Sequence, residues 1–132
     1  MGRQSKPSGL ITRPAERDLS SYQYHVMQLN ADAEVDYVDT SSTGTAWGVL
    51  QNAPSAAGQE AEVATEGTSL CYVDGNSSNI AVGSLLGSNS NFHGIVVSAD
   101  TAQYFAIAME ASTADGDLIE VKLTGPANTI AG

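Results

Sequence analysis

The chain has 132 residues, 42% hydrophobic and only 15% charged, enough for one hydrophobic core but not for two. Its 5 Lys and Arg face 15 Asp and Glu, a formal net charge of −10, which disfavours a bare nucleic-acid backbone and an anionic membrane surface alike. No stretch reaches the roughly 18 apolar residues of a membrane span, and the single cysteine, Cys71, excludes an intrachain disulfide.

The charge is segregated. Arg3, Lys6, Arg13 and Arg17 stand against Glu16 alone in the first 17 residues, whereas Lys122 is the only cation beyond them. Residues 1–20 carry Pro7, Pro14, Gly2 and Gly9, with Leu10 and Ile11 as their one internal bulky apolar pair. This composition predicts an extended basic N-terminal arm with no structure of its own, ordered by contacts to a neighbour. The arm lacks an apolar signal-peptide core, so synthesis in a cytoplasm is the expectation.

The next segments read as short strands. Tyr22–Leu29 and Glu34–Val38 are β-rich, and the second ends at a turn over Thr40–Gly44. Thr45–Leu50 follows, then a loop around Pro54 and Gly58. Glu60–Glu66 alternates, with Ala61, Val63 and Thr65 inward and Glu60, Glu62, Ala64 and Glu66 on a wet face. Gly67 is expected to turn the chain into Thr68–Asp74, where Cys71 lies in the apolar run Leu70–Val73 and reads as a small buried hydrophobe.

Asn79–Val82 and Phe92–Val97 are further strands, with a polar loop over Gly83–Asn91 between them. Gln103–Ala111 is apolar enough for a buried strand, and Ser98 could cap a helical turn at Asp100–Gln103. Asp115-Gly116 turns the chain into Asp117–Thr124, where Ile119, Val121 and Leu123 face in. About nine short strands with regular turn signals predict an all-β barrel or sandwich. Its body would span residues 21–125, between the arm and a short C-terminal tail over 126–132.

Catalytic constellations are scarce. His25 and His93 lie in strand-like runs with no nucleophile motif beside either. Asp32, Glu34, Asp36 and Asp39 form the densest acidic cluster, but Tyr37 and Thr43 stand where a calcium-binding loop needs Gly and Glu. A solvated or arm-facing acidic edge is the simpler reading, and no metal or cofactor is expected. Tyr22 and Tyr24 would share a strand face, as in a sugar-stacking platform or a packed interface.

The order of several short motifs carries a resemblance. Gly48-Val49-Leu50, Ala57-Gly58-Gln59-Glu60-Ala61-Glu62-Val63 and Glu66-Gly67 come first, then Ala81-Val82-Gly83-Ser84-Leu85-Leu86. The close is Ala106-Ile107-Ala108-Met109-Glu110-Ala111 and Ala114-Asp115-Gly116-Asp117-Leu118-Ile119-Glu120-Val121-Lys122-Leu123. Together they resemble the capsid decoration, or cement, proteins of tailed bacteriophages over Trp47–Leu123.

The resemblance implies a non-enzymatic, homotrimeric β-barrel protein made in the host cytoplasm. It would sit on the outer capsid surface at three-fold and quasi-three-fold positions, clamping neighbouring major capsid proteins without touching nucleic acid or membrane. In that setting Arg3, Lys6, Leu10, Ile11, Arg13 and Arg17 are the candidate capsid contacts. Leu85, Leu86, Phe92 and Ile95, apolar residues that a lone barrel would struggle to cover, are the candidate trimer interface. A tail or spike module, a carbohydrate-binding module and, last, a small hydrolase are the alternatives.

Overall fold

The structure, a computed structural model, describes residues 6–38, 45–97 and 103–128. Arg3, Asp39, the turn at Thr40–Gly44 and the segment from Ser98 to Ala102 lie outside the described residues, as does the end of the tail. The described chain is all-β. Its strands are β1 (Pro7–Pro14), β2 (Val26–Leu29), β3 (Val35–Tyr37), β4 (Gly48–Leu50), β5 (Glu60–Asp74), β6 (Leu85–Ser88), β7 (Gly94–Val96), β8 (Gln103–Ala108) and β9 (Asp115–Asn128).

One long strand organises the molecule. The C-terminal half of β5 closes a barrel: β5 pairs with β7, β7 with β6, β6 with β8, β8 with β9, and β9 returns to β5. The N-terminal half of β5 builds a second ring. It is flanked by β1 and β4; β4 pairs with β2, β2 with β3, and a parallel bridge from Ala15 to Val35 leads back to β1. Full closure of the five-stranded barrel removes its exposed edges, which otherwise recruit other chains.

The two rings explain two apolar clusters. Ala15, Leu19, Met27, Val35, Leu50, Ala61 and Val63 fill the N-terminal ring. The larger cluster fills the barrel around Phe105, Leu86, Cys71, Val73, Ile119, Val121 and Leu123, and runs on to Val26, Val49 and Ala64 on the other side of the N-terminal sheet. Alternation places these residues: Ile119, Val121 and Leu123 are buried along β9 while Lys122 is exposed. Cys71 is an inert member of this core, its thiol pushed up to about 12 by burial.

Several expectations change. Gly67 does not end a strand; β5 runs through it. Its φ of 83° is a glycine conformation, and it lies where the pairing partner of β5 changes from β1 to β9, with Pro7 and Leu123 both in register with it. A side chain there would meet Ser8 N at 2.6 Å. Gly67→Val is therefore expected to cost at least about 2 kcal/mol in a urea titration, from left-handed strain on a β-branched residue and the clash. An unchanged midpoint would mean that β1 and β9 do not meet there.

The segment expected to loop from Gly83 to Asn91 contains β6, because Leu85 and Leu86 pair with Ile107 and Ala106. Asn79–Val82 makes only a bridge from Ile80 to Ser112. In Glu60–Glu66, Ala64 is buried as well as Ala61 and Val63, since Val49 and Leu10 flank it from both sides. The Tyr22–Leu29 run is a strand only from Val26; Tyr22 N and His25 N donate to Leu19 O and Tyr22 O in successive turns.

The two chain ends also join the sheet. Over Pro7–Pro14 the basic N-terminal stretch is an extended strand on the chain's own β5, with bulges around Gly9. Ala15 and Leu19 behind it are fully buried. At the other end, β9 continues through Gly125 and Pro126 to Asn128, where Ala127 and Asn128 pair with Tyr104 and Gln103 of β8. A proline is tolerated there because β9 has parted from β5 at Leu123 and keeps a partner on one edge only.

Candidate functional site

Three surfaces bear on function. The first is the basic N-terminal stretch. Lys6 and Arg13 are exposed, and Leu10 is 52% exposed beside Ala64. Ile11, by contrast, is half-buried opposite Val63, on the side that faces the N-terminal ring's core. Arg17 is engaged within its own chain. Its Nε and Nη2 donate to Asp36 Oδ1 and Oδ2 at 2.8 and 2.9 Å, and its guanidinium lies 4.7 Å from the Tyr37 ring centroid. That two-pronged bond to Asp36 raises the arginine pKa further.

The acidic cluster thus turns out to face the N-terminal stretch: Asp36 holds Arg17, and Glu34 faces Glu16. A hydrogen bond and charge repulsion from Glu34 push the Glu16 carboxyl up. Asp32 lies at an exposed turn built on Asn30, whose side-chain oxygen accepts from Asp32 N and Glu34 N. Among the described residues no three His, Cys, Asp or Glu side chains converge as a metal site would require.

The second surface is the outer wall of the barrel. Ile95 of β7 is in register with Gly87 of β6, and Leu85 of β6 with Ile107 of β8. Directly paired residues share a face, as do residues two apart on a strand. Ile95, Leu85 and Ile107 therefore form one half-buried apolar row across three neighbouring strands. Leu86, grouped with them from sequence, points the other way: it is fully buried against the barrel core. At one end of this wall the turn Ala81–Ser84 presents Val82, 70% exposed, with Met109, 43% exposed, one hydrogen-bonded strand step away.

The third surface is an aromatic stripe where the two rings meet. Phe92, also grouped with the apolar interface from sequence, stacks on Tyr37 at 4.2 Å between centroids and makes an edge contact with Tyr22. Tyr22 leads to His25 at 5.4 Å, His25 to Tyr72 at 4.9 Å and to His93 at 5.1 Å. His93 Nδ1 lies 2.8 Å from Asp115 Oδ1. Tyr22 and Tyr24 do not share a face: Tyr24 has a φ of 66° and packs on the barrel core, while Tyr22 packs on the N-terminal ring.

Sequence reasoning did not connect these rings, because they come from segments separated by up to seventy positions and each looks isolated in its own window. Val82 did carry a signal. Val82-Gly83 followed by Ser is a turn with glycine at its third position, and Ser84 N donates to Ala81 O across it.

What these surfaces offer is packing and charge on a closed β scaffold, the equipment of an adhesive structural module. The family model for the phage cement protein matches residues 21–123, and the chain belongs to that family. It is accordingly a structural protein of the virion, with a cementing role on the phage capsid with which it associates. No curated protein and no solved structure matches the chain.

Proposed function

We propose that this cement protein binds the outer surface of an icosahedral phage shell as a homotrimer at three-fold and quasi-three-fold positions. There it clamps neighbouring major capsid proteins, and it has no catalytic activity. The observation that carries the reading is the row Ile95, Leu85 and Ile107. Three β-sheet positions that are apolar and half-buried in a single chain, on the outside of a closed barrel, are what a symmetric partner would cover. Val82 and Met109 extend the same wall with exposed apolar area.

On the capsid side, the exposed basic and apolar groups of the N-terminal stretch, Lys6, Leu10 and Arg13, are the proposed contacts, with Arg3 ahead of them. Arg17 and Ile11 serve mainly the protein's own fold, through Asp36 and the N-terminal ring.

The test is binding of the purified chain to expanded and unexpanded shells, with the symmetry of bound density read by electron microscopy. Leu85→Asp and Ile107→Asp are each expected to weaken binding to expanded shells by at least tenfold, about 1.4 kcal/mol, while far-UV spectra stay those of the wild type. Density at two-fold or five-fold positions, or undiminished binding by both variants, would sink the reading.

A further inference from the structure

We propose that His25 and His93 form an acid-sensitive latch between the N-terminal ring and the barrel, closed when His25 is neutral and opened when it is protonated. The two rings lie 5.1 Å apart and half-buried. His25 belongs to the turn leading into β2 of the N-terminal ring, and His93 immediately precedes β7 of the barrel. The latch therefore joins the two rings side chain to side chain, with Tyr72 of the shared β5 within 4.9 Å of one imidazole and 6.0 Å of the other.

The groups facing the pair are unequal. His93 has Asp115, at the start of β9, on its Nδ1 at 2.8 Å, and Asp74 at the end of β5 also feels its charge. Carboxylates thus face His93. Among the described residues His25 has none: its Nδ1 donates to Gln23 O at 3.1 Å, and its ring is surrounded by Tyr22, Tyr72 and His93. A proton on His25 therefore sits without a counter-charge, with the His93 ring 5.1 Å away.

Burial first, then the facing His93, holds His25 below its ordinary value of 6.5, although the Gln23 carbonyl pulls the other way. The sign follows: the unfolded chain takes up this proton before the folded one does. The stability contributed by a neutral His25 is present above the ordinary histidine range and is lost as pH falls below it.

The backbone is poised to move at the same place. The residue before each histidine is an aromatic in left-handed conformation, Tyr24 at φ 66° and Phe92 at φ 65°. Both are held there by cross-ring backbone bonds: Tyr72 N donates to Tyr24 O, and Val26 N donates to Phe92 O, each at 2.9 Å. Strain of this kind persists only while the surrounding packing enforces it. A charge on His25 acts on that packing.

The full-length chain should be titrated from pH 8 to pH 4.5. Histidine ring signals would be followed by NMR and amide exchange by mass spectrometry, corrected for intrinsic rates. The expected result is that exchange across residues 24–29 and 92–96 rises at least tenfold as His25 protonates, while residues 117–123 stay protected. His25→Gln should abolish that step, and His93→Gln should move the His25 titration upward. Should His25→Gln fail to fold, the His93→Gln shift and the wild-type exchange pattern decide alone. An unshifted His25 in His93→Gln, or an exchange step that survives in a folded His25→Gln, would overturn the latch.

Discussion

Phe105→Ala is expected to remove about 3–5 kcal/mol of stability, measured as a shift of the urea midpoint at unchanged slope. Phe105 is the largest fully buried side chain of the molecule. It lies on β8 at a register shift, between Tyr104 paired with Ala127 and Ala106 paired with Leu123. The extra residues of the shift lie on β9, where Thr124, Gly125 and Pro126 separate partners that Phe105 alone separates on β8; both Phe105 and Ala106 are fully buried. The ring belongs to the barrel core and comes from β8, the strand paired with both β6 and β9. Domains of this size have total stabilities of roughly 5–15 kcal/mol, so the loss is a large share of the whole. Phe105→Leu, which refills most of the volume, should cost about half as much. A Phe105→Ala midpoint equal to the wild type's would mean that the ring does not fill the barrel.

The architecture was legible where apolar alternation is strong and local, and obscured where tertiary pairing overrides a local signal. Ile119, Val121 and Leu123 announce the inner face of β9 from sequence alone, and the same alternation marks Ala61 and Val63 in β5. Gly67 misleads because a glycine inside a β-rich run marks a turn or a bulge equally well. Only the two partners that meet at that residue decide which it is. β6 was hidden for the opposite reason. Leu85 and Leu86 sit among Gly, Ser and Asn, and their strand exists because β7 and β8 flank it on both sides.

The functional surfaces were less legible still. The sequence groups Leu85 and Ile95 only as apolar residues that a lone barrel would struggle to cover, and register puts them in one row with Ile107. A one-residue shift sends a neighbour to the opposite face, which is why Leu86 belongs to the core. The aromatic stripe depends on contacts between both rings of the fold and leaves no periodic trace. Arg17 shows the same limit: its charge was evident, whereas its partner, Asp36, is nineteen positions away on β3.

Deleting residues 2–14 is expected to lower stability by about 2–4 kcal/mol and to weaken shell binding by at least tenfold. Ordering the eight residues of β1 costs about 1–2 kcal/mol each in backbone entropy. Their contacts with β5 must exceed that total for the strand to be present in a single chain. The ladder hydrogen bonds, the half-buried Ile11 and the packing of β1 on β5 together provide it by a small margin, and the deletion forfeits that margin. It also uncovers the edge of β5 from Glu60 to Gly67, which Glu60, Glu62 and Glu66 would only partly protect from pairing with other chains. The family match begins at residue 21, so β1 lies outside the matched residues.

Stability and binding are separable at Leu10, which is more than half exposed and contributes little to the fold. Leu10→Ser should change the urea midpoint by less than about 0.5 kcal/mol yet weaken shell binding, more than neutralising Arg13 does, because exposed ion pairs are worth less than about 1 kcal/mol. Raising salt should lower affinity only modestly for the same reason. If Leu10→Ser bound expanded shells as tightly as the wild type while the deletion did not, β1 would act on the shell only by holding the N-terminal ring shut.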